Sequence, residues 1–94
     1  MVLTIKFIGA LRHISNKTQL TIDYEEGMSV RQLLAKILQE PLGLDRTLSD
    51  KQPGDSRFNA LILVNGREIS VLNGLETKLN DGDEIIFVPV VHGG

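Results

Sequence analysis

The chain has 94 residues, enough for one small domain with a single core and too few for a deep enclosed active site. Apolar residues at 41% and charged residues at 23% are globular values, and the formal net charge of −2, without any Lys/Arg cluster, argues against a surface that tracks nucleic-acid phosphates. The absence of cysteine removes disulfides, thiolate catalysis and cysteine-bound metal, and two histidines make a histidine zinc site improbable.

Leu3, Ile5 and Phe7 alternate with Thr4 and Lys6, the period-two pattern of a half-buried strand. Leu20, Ile22 and Tyr24 alternate with Thr21 and Asp23 in the same way, after the polar connection "RHISNK". The two segments predict an antiparallel hairpin with a broad loop. The N-terminus lacks the basic region of a signal peptide, and the longest apolar run is too short for a bilayer, so a cytoplasmic protein without membrane contact is expected.

The period then changes. Val30, Leu33, Leu34, Ile37 and Leu38 form one stripe of a helix. Ser29 with Gln32 fits a capping box, Met28 with Leu33 fits the hydrophobic staple, and Pro41 and Gly43 stop the helix. The polar stretch 41–59 reads as a long connection. Asn65-Gly66, between "ALILV" and "REISV", is a strong hairpin signal, because a type I′ turn needs positive φ at both central residues. After the turn Asp81-Gly82-Asp83, the run "EIIFVPV" is apolar on both faces, as a central strand should be, and Pro89 marks the end of its ladder.

One helix cannot cover two faces of a sheet. The order therefore predicts an α+β, β-grasp (ubiquitin-like) fold, with one mixed sheet packed on one main helix. The last strand would lie buried beside the first and parallel to it. Residues 1–89 would form the domain and 90–94 a flexible tail ending in Gly93-Gly94. If Ile85 and Phe87 face the helix, then Ile86 and Val88 face away. With Val90, Val91 and His92 they would offer an apolar partner-binding surface beside the tail.

Gly averages about 7% of residues, so a closing Gly-Gly arises by chance in roughly one chain in two hundred. A tail without Cβ atoms can thread a narrow channel in an enzyme and present its carboxylate to ATP. Adenylation would create a mixed anhydride open to a sulfur or amine nucleophile. Other signals are weaker. "LNDGDE" lacks the ligand spacing of a calcium loop, and "NG" and "DG" do not open helices as phosphate loops do.

The stretch "LILVNGREISVLNGLETKLNDGDEIIFVPVVHGG" resembles the C-terminal third of the MoaD/ThiS group of ubiquitin-like sulfur carriers. "VNGR", "LNGLETKLNDGDEI" and the closing Gly-Gly are most similar to the small subunit of molybdopterin synthase. A proline pair before the glycines is replaced here by "VPVVH", and the His-Gly-Gly end is more like the ubiquitin-related modifiers. The resemblance implies that a MoeB/ThiF-type activating enzyme, using ATP, adenylates Gly94, and that a sulfur donor converts its carboxylate to a thiocarboxylate. Gly93 and Gly94 match the family's terminal pair. The protein would then be a carrier without catalytic side chains, cofactor or metal of its own, serving molybdopterin synthesis with the synthase's large subunit. Two alternatives stay open: sulfur delivery for tRNA thiolation or conjugation of Gly94 to lysines, and a plain β-grasp binding module whose glycines are incidental.

Overall fold

The computed structural model describes residues 1–41 and 60–89. Five strands form one sheet: β1 (Val2–Phe7), β2 (Gln19–Asp23), β3 (Ala60–Val64), β4 (Arg67–Glu68) and β5 (Glu84–Pro89), in the order β2-β1-β5-β3-β4. β5 is central. It runs parallel to β1, with Ile5 opposite Ile85 and Phe7 opposite Phe87, and antiparallel to β3, with Ile62 opposite Phe87. This is the β-grasp arrangement expected from the order of elements.

The core lies between the sheet and α2 (Val30–Gln39). Leu3, Ile5, Ile62, Ile85 and Phe87 from the strands meet Val30, Leu33, Leu34 and Ile37 from α2, all buried, and Leu38 of the expected stripe packs at the edge. The Phe7 and Phe87 rings lie 6.0 Å apart and tilted by 49°, within the range of favourable aromatic pairs.

The start of α2 follows the sequence signal. Gln32 N–H donates to Ser29 Oγ at 3.3 Å and Ser29 N–H donates to Gln32 Oε1 at 2.9 Å, so the capping box is closed in both directions. Met28 and Leu33, the staple pair, are both buried. At the other end Glu40 is extended (φ −76, ψ 145), as the residue before Pro41 must be to avoid the proline ring. Gly43 and nearly all of the expected connection fall outside the described residues. The helix N-terminus is tied to the segment before β5 by Val30 N–H to Thr77 O (3.0 Å) and Leu79 N–H to Met28 O (2.8 Å).

One expectation needs correction. The connection between β1 and β2 is not a plain loop, because it contains a short helix, α1 (Ala10–Ser15). Leu11 and Ser15, four apart and on one face, are both buried there, and that contact with the core compensates for weak local helix signals. The second arm of the Asn65-Gly66 hairpin is a short strand. Both turn residues have positive φ (50 and 86), as a type I′ turn requires, but β4 stops after Glu68. The Glu68 carboxylate accepts from Ser70 N–H at 3.1 Å and turns Ile69–Val71 into a 3₁₀ helix. A second 3₁₀ turn, Gly74–Glu76, places Leu75 in the core.

Asp83 joins the two turns at this pole of the sheet. Its buried carboxylate accepts from Asn65 Nδ2 (2.9 Å) and from Asn80 N–H (2.8 Å), while Asn65 Oδ1 accepts from Glu84 N–H (2.9 Å). Leu33→Ala is expected to cost 2–5 kcal/mol and Ser29→Ala about 1 kcal/mol in urea unfolding, because the first opens a cavity and the second removes one cap.

Candidate functional site

The site is organised by the end of β5. Along this strand Ile85 and Phe87 are wholly buried under α2, and Ile86 and Val88 lie half-buried on the opposite face. That alternation is the expected one. Ile86 sits between Lys6 of β1 and Leu63 of β3, and Val88 is opposite Leu61. Ile8, one residue beyond β1, still joins the ladder, donating its N–H to Phe87 O at 3.3 Å.

Ile8 and Leu61 are each 45% exposed, so the uncovered face carries an apolar group of Ile8, Leu61, Ile86 and Val88 near the place where the chain leaves the sheet. Further down the same face Lys6 Nζ and Glu84 Oε2 pair at 2.9 Å. With both side chains about two-fifths exposed, the pair adds polarity to the rim and little stability. Ile8 and Leu61 are additions to the residues singled out in the sequence. The signal for Ile8 was available, since it continues the outward phase of Lys6. Leu61 needed the β3–β5 register, which no local pattern supplies.

Val90, Val91, His92, Gly93 and Gly94 lie outside the described residues, as does the expectation of an extended tail. The root of that tail is described. Pro89 ends β5, paired with Ala60. Against it stands Gly9, with φ 61 and ψ −132, a backbone conformation that is strained for any residue bearing a Cβ. A Cβ on Gly9 would come 3.3 Å from Pro89 Cγ and 3.8 Å from its Cδ, so the missing side chain lets the proline ring close on the start of α1. The direction in which the chain departs from β5 is therefore fixed by a contact between segments 80 residues apart in sequence.

Among the described residues no group of His, Asp and Glu is gathered closely enough to hold a metal ion. The "LNDGDE" stretch is a turn, with Gly82 at φ 85 and its N–H donated to Val2 O at 2.9 Å. No helix among the described residues is long and apolar enough to cross a membrane.

A five-stranded mixed sheet on one main helix, with the closing strand at its centre, defines a ubiquitin-like β-grasp protein. The profile of the ThiS family matches residues 5–94, and the chain belongs to that family. A candidate sulfur carrier from Archaeoglobus fulgidus is 39% identical over 79 residues, covering 84% of this chain and 88% of that one. The small archaeal modifier protein 1 from Methanosarcina acetivorans, solved in solution, superposes with a TM-score of 0.78 at 29% identity, covering 99% of this chain and 96% of that one. Subunit 1 or 2 of the molybdopterin-converting factor complex from Helicobacter pylori matches with a TM-score of 0.65 at 28% identity over the whole of both chains. The relatives are named as carriers and modifiers, not as catalysts, in keeping with the reading of the chain as a non-enzyme.

Gly9→Ala is expected to destabilise the fold by about 2 kcal/mol, through backbone strain and the tight approach to Pro89. Denaturant unfolding checks the loss. In amide NMR spectra the variant's shifts should be largest at Phe87 and Val88, beside the displaced proline.

Proposed function

We propose that the protein is a sulfur carrier whose Gly94 carboxylate is the reacting group. A carboxylate oxygen attacks the α-phosphorus of ATP on a MoeB/ThiF-type activating enzyme, giving an acyl-adenylate and pyrophosphate. A sulfur nucleophile from the donor then attacks the acyl carbon, AMP leaves, and a thiocarboxylate results. The observation that carries this reading is the position of β5. Only four residues of sequence separate Pro89, the end of the central strand, from Gly94. Membership of the ThiS family supports the same chemistry. The chain contributes no acid, base or metal in this scheme, and ATP belongs to the activating enzyme.

The apolar group of Ile8, Leu61, Ile86 and Val88, extended by Val90, Val91 and His92, is the surface by which partners hold the carrier. The large subunit of molybdopterin synthase is the proposed recipient, and the two-subunit complex of the Helicobacter pylori factor supports a partner of that kind. A second reading, in which activated Gly94 is joined to lysines or supplies sulfur to tRNA, is favoured by the likeness to an archaeal modifier and by His92 before the glycines. Both readings pass through the adenylate.

Incubation with ATP, a sulfide source and the host's activating enzyme should raise the intact mass by the difference between sulfur and oxygen. Deleting Gly94 should abolish the gain. No gain, with the enzyme competent on a control carrier, would leave a binding module. Lysine-linked adducts in cell extract would favour the second reading. Replacing Ile8 and Leu61 together by Asp should weaken capture by the large subunit at least tenfold, and unfolding should report a loss of only about 1 kcal/mol, because both side chains are already half in water.

A further inference from the structure

α1 carries a second surface feature that the carrier chemistry does not use. Arg12, His13, Asn16, Lys17 and Thr18 line an open concavity of ≈ 250 Å³ between the end of α1 and the start of β2. All five residues are exposed, and no carboxylate lines the hollow. Three other described cations are paired with carboxylates: Lys6 with Glu84, Arg31 with Glu76 at 2.7 Å and Lys36 with Glu25 at 3.3 Å, whereas Arg67 and Lys78 lie apart at the opposite pole and Lys78 donates to the Gly27 carbonyl. Among the described residues no acidic side chain pairs with Arg12 or Lys17. Two cations and an imidazole thus share one hollow, without a carboxylate partner among the described residues, on a chain whose net charge is −2.

The hollow is also held in shape. Asn16 closes α1 in the left-handed conformation (φ 58). The buried Ser15 hydroxyl accepts from Lys17 N–H at 3.2 Å and donates to Lys17 O at 3.1 Å, and Phe7 N–H donates to Thr18 O at 3.1 Å. Arg12 N–H in turn donates to the carbonyl of Gly9 at 3.0 Å, the residue that packs on Pro89. The cations are therefore one helical turn from the root of the tail, on the pole where β5 ends.

We infer that this hollow receives aspartate or glutamate side chains of the protein that activates the terminus, an inference that rests on the carrier reading. Charge complementarity selects the occupant. A guanidinium, an ammonium, an imidazole, an amide and a hydroxyl together offer several donors to carboxylate oxygens. A nucleic acid would need a longer basic track than two cations on an acidic chain. A single free anion gains little from exposed cations, whereas several carboxylates carried on one polypeptide reinforce one another at the hollow, and the apolar contact nearby strengthens the hold of a docked protein. The pocket then steers the acidic partner toward the pole from which the tail leaves.

The test compares Arg12→Glu/Lys17→Glu with Arg67→Glu/Lys78→Glu, which makes the same charge change at the opposite pole. In the activation assay with the host's activating enzyme at low ionic strength, the first variant should show a KM for the carrier at least tenfold higher, with kcat within twofold. The wild-type KM should rise with added salt and that of the variant should not. The far-pole variant should stay within about threefold of wild type. An unchanged KM, or equal effects of the two variants, overturns the inference. A second arm is independent of activation. Hexaglutamate added to the wild-type protein should shift the amide resonances of residues 12–18, and the Arg12/Lys17 variant should lose the response. Absence of those shifts, or equal shifts from inorganic phosphate at matched ionic strength, overturns it as well. Failure of the wild-type protein to be adenylated would count against the carrier, while the peptide arm still judges the pocket.

Discussion

Everything in this molecule depends on the parallel pairing of its first and last described strands. β1 and β5 lie side by side with Ile5 against Ile85 and Phe7 against Phe87, and these four side chains are buried together beneath α2. A parallel pair cannot be closed by a tight turn, so the whole of the intervening chain serves as the crossover. Among the described residues that crossover contains α1, β2, α2, β3, β4 and the two 3₁₀ turns. The last described strand is thereby also the central one of the five.

The consequence is a division of labour between the two faces. Side chains of β5 that point to α2 hold the fold, and the alternate ones, Ile86 and Val88, remain half-buried on a face that no described element covers. The anchoring side chains and the uncovered apolar ones come from one strand by its period-two geometry. Mutations on the two faces should therefore separate stability from partner binding with little crosstalk. The Asp83 network secures the beginning of the same strand, and the Gly9–Pro89 contact secures its end.

The pole at which β5 ends gathers features of different character. The apolar group of Ile8 and Leu61 lies on the open face, the proline root lies against Gly9, and the basic hollow of Arg12 and Lys17 follows one turn along α1. An apolar contact supplies affinity with little direction, and fixed charges supply orientation and a faster encounter. Their proximity would suit the carrier role proposed above.

Much of this was legible in the sequence, for identifiable reasons. The capping box at Ser29 and Gln32, the stripe from Val30 to Leu38 and the Asn65-Gly66 turn are local, since each depends on residues within a few positions. The alternation in β5 gave the two faces, and the closing glycines directed attention to the terminus. Local signals failed where a distant contact decided the outcome. α1 exists because Leu11 and Ser15 can be buried. The sequence by itself determined the main helix, the strands and their order, because their periodicity and turn residues are local. Only the tertiary structure decided that Ile8 and Leu61 share a face, that Gly9 makes room for Pro89, and that Arg12 and Lys17 open beside it, because strand register and long-range packing bring together residues that no local pattern connects.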